Sequence, residues 1–567
     1  MLILLATALI ASAKAARPHN PILPGFHPDP SCIFVPQWND TFFCASSSFN
    51  AFPGIPIHAS QDLQNWRLIG NALSRPEQLP TLTDAVGGTS GLWAPAIRYH
   101  HGEFFILTTL VFDKRPINDT TRWDNLIFRT RNPYVADAWS DPVHFSFVGY
   151  DTSPFWHKDG TWTVYVQGAH PWQVSPHIDQ IQLNLETGEV TEQVPIWNGT
   201  GGLAPEGPHV HLKDGYYYLI IAEGGTGLNH METAARSKKI TGPFAPAPQN
   251  PLLTNANTSS YFQTVGHADV FPDSHGNWWG VALSTRSGPE YIAYPMGRET
   301  VLINMTWETG EWPVFQNVSG IIDGPTLPLR PDIKGAGRLI TASDNIVFEP
   351  KSTLPLHFAH WRIPDAAAYT ISPPGHVNTL RLRPSLLNLT GFDANSAPTP
   401  QTFIGRRQVH SEFVYSVNME YAPQTPDEEA GVSVFLTQNH HIDFEILCLG
   451  ASSAACANST VLRIRTTSTT ASAIRPDTII PLAHPHKTRL EIRADNLTHY
   501  TFSYAQDGVG AARMTVAGYG LSADVSWGFT GTILGVYATG NGQAALTPAY
   551  VSRWKYQGQR QVTVDEN

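Results

Sequence analysis

Five times along the first half of the chain, an apolar run, a polar turn and an aromatic-rich run follow one another. The segments are SCIFVPQWNDTFFCASS, PAIRYHHGEFFILTT, SPFWHKDGTWTVYVQG, PHVHLKDGYYYLIIAEG and ADVFPDSHGNWWGVALS. Four of the turns carry glycine in HG or DG form, the residue a tight hairpin needs where φ turns positive. One hairpin says little. Five at a spacing near sixty residues predict radial repetition, each unit a four-stranded blade. The expected architecture is a five-bladed β-propeller over 17–325. A β-sandwich of the same length leaves the regular spacing unexplained.

The second half reads differently. DGPTLPLRPDIKGAG is rich in Pro and Gly and marks a linker, assigned to 326–350. Beyond it, NTLRLRPSL, EFVYSVNMEY, HIDFEIL, VLRIRTT, TRLEIRA and TGTILGVYA alternate with period two. Such alternation between short turns predicts a β-sandwich, placed at 351–560. The fold class is therefore all-β.

The bulk numbers narrow the function. A chain of 567 residues is too long for one core. Charged residues make up 15%, against 45 Gly and 45 Pro, which fits a loop-rich β protein. A net charge of −11 without a Lys/Arg run argues against nucleic acid or anionic membrane as partner. The 16 tryptophans are compatible with core packing and with sugar binding alike.

At the start, the apolar run Leu2 to Ala11 is too short to span a bilayer. It leads into Ala13-Lys14-Ala15, an A-x-A cleavage pattern, though no basic residue precedes it. A signal peptide over 1–16 and a secreted, extracellular location are expected. Nine N-x-S/T sequons point the same way: Asn39, Asn118, Asn198, Asn257, Asn304, Asn317, Asn388, Asn458 and Asn496. No later stretch looks transmembrane. Cys448 and Cys456 bracket a short loop that a disulfide could close, and Cys32 and Cys44 lie on two runs that could pair. Four cysteines allow three pairings, and the sequence does not choose among them.

Candidate chemistry stands immediately before each hairpin. The blades offer Asp29 between Pro28 and Pro30, Trp93 in LWAPAI, Asp151 in YDTSPFW, Glu206 in APEGPH and His267 in VGHAD. Taken singly, each has a bland reading: Asp29 a turn, Trp93 a core tryptophan. Yet the gaps are 64, 58, 55 and 61 residues, and equivalent blade positions surround one funnel. Three carboxylates on three blades can hydrolyse a glycosidic bond. One acid protonates the leaving oxygen, one ionised group activates water, and the third raises the acid's pKa. Asp29, locked by prolines, suits the base. The longer Glu206 suits the acid and Asp151 the modulator, although spacing alone does not assign these roles. Glu223, Asp269 and Glu290 lead no hairpin and rank as supporting or structural.

The stretches NPILPGFHPDPS, SSSFNAFPGIPIHASQDLQNW, SGLWAPAIRYHHGEF, DTSPFW, EGPHVHLKDGYYYLIIAEGGTG, ARSKKITGPF and VGHADVFPDSHGNWW resemble glycoside hydrolase family 43. This is the β-xylosidase and α-L-arabinofuranosidase group. They cover most of the first 320 residues in the family's order. FIGRRQ, EEAGVSVFL and TGTILGVYATGNG resemble the concanavalin-like C-terminal domain attached to many xylosidases of the family. The resemblance implies a five-bladed propeller and an inverting mechanism with Asp29 as general base, Glu206 as general acid and Asp151 as pKa modulator. An inverting pair stands roughly 6.5–9.5 Å apart. The resemblance also implies that Phe49, Trp93, Ala94, Thr226, His267 and Arg286 line the sugar pocket. Against a surface ion pair, Arg286 is read as aimed into the funnel because it directly follows the apolar run WWGVALS. No cofactor is implied as required. The resemblance leaves room for a structural calcium near His267, which one histidine does not define. The second domain shows no acid pair in comparable register, so its expected roles are stability and one wall of the pocket.

The combined reading is a secreted, exo-acting inverting glycosidase of hemicellulose. It releases terminal α-L-arabinofuranosyl or β-D-xylosyl units from arabinoxylan or xylo-oligosaccharides, with a lean to arabinofuranosidase. A retaining fructan hydrolase is expected to open with W-x-N-D-P-N, which GFHPDPS lacks. A catalytically silent sugar-binding propeller is expected to lack one of the three acids. A propeller used only for protein interaction has no reason to place acids at three blade starts.

Overall fold

The computed structural model describes residues 18–157, 163–391, 399–449, 456, 459–470, 474–482, 487–506 and 513–564. The expected signal peptide, the turn of the third hairpin and the sequon at Asn458 lie outside them. Five four-stranded antiparallel sheets follow one another. Their innermost strands are Ser31–Val35, Gly91–His100, Tyr150–Phe155, Glu206–Lys213 and Phe262–Pro272. Each touches the next, and the fifth touches the first, so the ring is closed. The chain's start helps close it. Leu23 bridges Thr300 of blade five, and the Asn20 side chain donates to the carbonyls of Leu302 (2.9 Å) and Ser319 (3.0 Å).

The continuous apolar runs have a direct cause. Along a strand, successive side chains point to opposite faces. In a propeller both faces of a blade meet a neighbour. Thus Phe104 and Ile106 pack toward blade one while Phe105 and Leu107 pack toward blade three. Tyr218 and Ile220 face blade five, and Tyr217, Leu219 and Ile221 face blade three. A run buried on both sides carries no polar alternation. Cys32 and Cys44 sit opposite each other in the first hairpin and form a disulfide, and a second links Cys448 to Cys456.

The second domain is a sandwich of two eight-stranded sheets around one large core. Asp344–Ile346 already pairs with 554–556, so the sandwich begins inside the stretch expected as linker. The remaining Pro/Gly-rich segment lies against blade one. Leu68 N–H donates to the Arg338 carbonyl (3.2 Å) and Ile340 N–H to that of Trp66 (2.9 Å).

The two domains share secondary structure. Ala51–Phe52, from blade one, pairs with His360 and Trp361 and becomes the edge of a sandwich sheet. Phe49, two residues earlier, packs in an interdomain core with Phe26, Trp361, Phe403 and Phe435. A propeller loop is therefore held in place by the sandwich.

Candidate active site

Four of the innermost strands break register, three near their start, between Trp93 and Ala96, Tyr150 and Ser153, and Glu206 and His209, and one at its middle, between Gly266 and Asp269. The residue inside each break has positive φ: Ala94 at 24°, Asp151 at 57°, Gly207 at 57° and His267 at 58°. Asp29, just ahead of the first strand, has φ 51°. A bulge of this kind bends the strand and re-aims a side chain. Left-handed backbone at non-glycine residues is costly and concentrates at functional sites. The structural equivalents are thus Asp29, Ala94, Asp151, Gly207 and His267. Trp93 and Glu206 each precede the equivalent position by one residue.

These bulges empty into one pocket at the end of the funnel. Asp29, Asp151, Glu206, His267, Phe49, Trp93 and Thr226 all line it, as do Tyr150, Trp172, Leu203, Ala204, Gly225, Arg298 and Phe529. Ala94 is buried behind the wall, where its N–H donates to Ser47 Oγ at 2.6 Å. Ser47 Oγ in turn donates to Asp29 Oδ2 at 2.6 Å. Arg298 clamps the same carboxylate with two bonds, 2.8 Å to Oδ1 and 3.2 Å to Oδ2. Its Nε donates to the Phe529 carbonyl at 3.1 Å, so the sandwich orients the clamp. His267 Nδ1 lies 3.9 Å from Asp29 Oδ1.

In the same pocket, Asp151 Oδ2 accepts from Gly207 N–H at 3.1 Å, and Tyr150 OH donates to Glu206 Oε2 at 3.4 Å. Burial pushes Glu206 up to about 7, with the Asp29 charge adding to the rise and Arg298 and Tyr150 opposing it. Burial also raises Asp151, with the charges of Glu206 and Asp29 behind it. Of the three carboxyls, Arg298 is hydrogen-bonded to Asp29 alone. Asp151 and Glu206 then share the repulsion, and near neutrality the pair retains a proton. His230, whose Nε2 is 3.9 Å from Glu206 Oε1, is held neutral by burial.

Arg286 is not at the pocket. It forms a buried ion pair with Glu299 (2.7 and 2.9 Å) and donates to Ser411 Oγ, Gln561 Oε1 and the Val562 carbonyl. It ends the second strand of blade five, which meets the sandwich there. The funnel's guanidinium is Arg298, at the mouth of the third strand. Its signal in PMGRETVLIN is an arginine just before an apolar strand, whereas Arg286 comes just after one; both flank apolar runs, and only packing separates the two. Tyr150, Trp172, His230 and Phe529 also went unread, because aromatics and histidines are common in strands and loops.

The supporting acids have structural partners. Glu223 accepts from Thr200 N–H, Gly202 N–H and Thr233 Oγ, shaping the loop that brings Leu203 and Ala204 to the pocket. Glu290 is exposed. Asp269 pairs with Arg98 at 2.7 Å and accepts from Ser31 Oγ at 2.6 Å, deeper in the ring. Arg98 also bonds His209 Nδ1 at 2.9 Å, and Ser153 Oγ meets the same nitrogen at 3.0 Å. This cluster draws on all five blades and plugs the axis. It also bears on calcium, which takes 6–8 oxygen ligands. Near His267, the Asp29 oxygens are committed to Arg298 and Ser47, and the next acid inward holds a guanidinium. The residues present do not fit a calcium there.

The tight approach behind Glu206 makes a prediction. A Cβ on Gly207 would lie 2.9 Å from the His267 ring, at a φ of +57°. Gly207→Ala is expected to cost at least about 1–2 kcal/mol of stability in urea unfolding. By displacing His267 and Glu206 it should also lower kcat/KM by up to about 100-fold.

Three buried carboxyls around one pocket, one clamped by a guanidinium and two raised by burial, are the groups glycoside hydrolysis requires. Comparison with known proteins agrees. Residues 18–313 match the model of glycosyl hydrolases family 43, and 346–557 match the β-xylosidase C-terminal concanavalin A-like domain. The chain is 34% identical over 541 residues to the non-reducing end α-L-arabinofuranosidase BoGH43B of Bacteroides ovatus, covering 94% of this chain and 93% of that one. It is 33% identical over 449 residues to a xylosidase/arabinosidase of Butyrivibrio fibrisolvens, covering 76% and 80%. The solved structure of Bacteroides ovatus xyloglucan PUL GH43B superposes with TM-score 0.80 at 31% identity, covering 96% and 100%. The chain belongs to glycosyl hydrolases family 43 and is a glycosidase.

Proposed function

We propose that the enzyme is an exo-acting, inverting glycosidase that releases terminal α-L-arabinofuranosyl units, with β-D-xylosyl release as the second reading. The observation that carries the mechanism is the electrostatic contrast across the pocket: Glu206 raised to about 7 by burial and the Asp29 charge, and Asp29 clamped by Arg298. Glu206 delivers its proton to the glycosidic oxygen as that bond breaks. Asp29 takes a proton from the water that attacks the anomeric carbon from the opposite face. The product leaves with inverted configuration, and both carboxyls then exchange protons with solvent. Asp151 acts on Glu206 by sharing the proton the pair retains and through its bond to Gly207 N–H. The axial plug of Arg98 and Asp269 closes the inner end of the funnel, which favours attack on a chain terminus. The arabinofuranosidase reading follows the Bacteroides ovatus relative, and the xylosyl reading the Butyrivibrio one.

Initial rates on 4-nitrophenyl α-L-arabinofuranoside and β-D-xylopyranoside test the sugar, and NMR of the first-formed anomer tests the stereochemistry. The expected result is the arabinoside as better substrate, with inversion. Retention of configuration would overturn the roles given to Asp29 and Glu206. Release from arabinoxylan and xyloglucan, compared side by side, identifies the polymer.

Phe529 supplies an aromatic wall from the second domain, with its ring 5.9 Å from Trp93 and 6.0 Å from Phe49. Phe529→Ala is expected to raise KM about tenfold, equivalent to about 1.4 kcal/mol of sugar contact. The change in kcat should be smaller.

Secretion belongs to the same proposal. The A-x-A pattern near the start, two disulfides and exposed sequons at Asn39, Asn118, Asn198, Asn257, Asn317 and Asn496 support it. N-terminal sequencing and glycosidase-sensitive mass of material recovered from culture medium check it. Full-length, unglycosylated protein confined to cells would contradict it.

A further inference from the structure

The loop that brings Trp172 to the pocket carries an arrangement the glycosidase reaction does not use. It runs from His170 to His177, between strands Thr163–Ala169 and Ile178–Asn184 of blade three. Ala169 pairs with Ile178, and His170 N–H donates to the His177 carbonyl at 3.0 Å, so the two histidines face each other across the loop's neck. Asp179, two residues beyond His177, projects to the same side of the sheet. The imidazoles stack with centroids 4.5 Å apart. One ligand atom from each of His170, His177 and Asp179 lies within 4.8 Å of the others.

The surroundings are those of a ligand set. His170 Nδ1 donates to the Ser175 carbonyl at 2.9 Å, which leaves its lone pair on Nε2. Asp179 is buried; its Oδ2 accepts from Gln193 Nε2 at 2.6 Å, and its Oδ1 lies 3.0 Å from His177 Nε2. Ser175 Oγ lies 3.3 Å from His177 Nδ1. Outer bonds of this kind orient metal-bound imidazoles and carboxylates.

We propose that His170 Nε2, His177 Nε2 and Asp179 Oδ1 bind a zinc-class divalent ion at the base of the Trp172 loop. Two imidazoles and one carboxylate are a donor set for zinc and its neighbours and a poor one for calcium or magnesium. A water completes four-coordination. To meet one ion, the three ligand atoms draw closer as the stacked imidazoles tilt toward it. The His177 proton moves from Nε2 to Nδ1, where it is donated to Ser175 Oγ. The ion then takes the place of the proton between His177 and Asp179. Its role is structural: it fixes the neck of a loop whose tip, Trp172, is 39% exposed and lines the sugar pocket. That consequence rests on the glycosidase reading above, whereas the ion site itself does not.

The test uses metal-stripped full-length protein, titrated with cobalt and followed by its visible ligand-field absorption, and with zinc by calorimetry. One equivalent per chain is expected, with zinc raising the melting temperature. His170→Gln and His177→Gln, both at partly exposed positions and checked by near-UV circular dichroism, should each weaken binding by about tenfold or more and abolish the shift. If one variant misfolds, the other decides. Less than one equivalent in the wild type, or unchanged affinity in the folded variants, overturns the site. A separate arm measures KM for the aryl arabinoside with and without saturating zinc. A KM that responds in the wild type and not in His177→Gln is expected. An indifferent KM overturns the link to Trp172 and leaves the ion site to the binding data.

Discussion

Glu206→Gln is expected to lower kcat on oligosaccharides by about 10²–10⁴-fold, because the leaving sugar oxygen then departs without a proton. The loss should be smaller on 4-nitrophenyl glycosides, whose leaving group is stable as an anion. The pH profile carries the diagnostic. With Glu206 held near 7 by burial and the Asp29 charge, the wild-type kcat/KM should fall as pH rises through about 7, and that limb should vanish in the variant. Stability should fall over the same range. A carboxyl raised in the folded state contributes fully below its unfolded value of 4.5, and the contribution is lost as pH climbs through about 7. Glutamine stays neutral, so at pH 8 the inactive variant should be the more stable, by up to about 3 kcal/mol. Equal activity in the two proteins on oligosaccharides would remove Glu206 from the acid role.

The second large effect separates two arginines. Arg298→Met removes both bonds to the Asp29 carboxylate and leaves it buried beside Asp151 and Glu206. Its charge is then uncompensated and its orientation unfixed. We expect kcat/KM to drop by about 10²–10³-fold. Arg286→Met breaks a pair of the same kind, with Glu299, at the interface with the sandwich. It should cost about 3–5 kcal/mol of stability and leave kcat of the folded protein near the wild-type value. Urea unfolding with kinetics on the folded fraction distinguishes them. A catalytic defect in Arg286→Met without loss of stability would return that residue to the pocket.

Much of the molecule could be read in the sequence because its determinants are local and repeated. Hairpin turns, double-sided apolar runs and a spacing near sixty residues each act within one blade, and five copies make the pattern visible. Asp29, Asp151 and Glu206 stood out because they sit where an innermost strand starts, and His267 because it stands just before the apolar run of the fifth hairpin. The reading placed Trp93 and Glu206 in strict register. The backbone shows Ala94 and Gly207 there, since the bulge is a matter of φ and leaves no distinct residue type behind. The open choice among cysteine pairings fell to two local bridges, between residues directly opposed in a hairpin and across one short loop.

The chain's pattern alone determined the all-β class, the propeller followed by a sandwich, and three carboxylates at three blade starts. Only the tertiary structure decided which guanidinium clamps Asp29, that Phe529 walls the pocket, and that Ala51–Phe52 completes a sandwich sheet. These contacts join residues hundreds of positions apart. Arg298 meets Asp29 across 269 residues. Nothing local marks the partner at such a distance, because each arginine flanks an apolar run and neither flank points to the funnel. Closing the ring and docking the sandwich bring one to the funnel and the other to the interface.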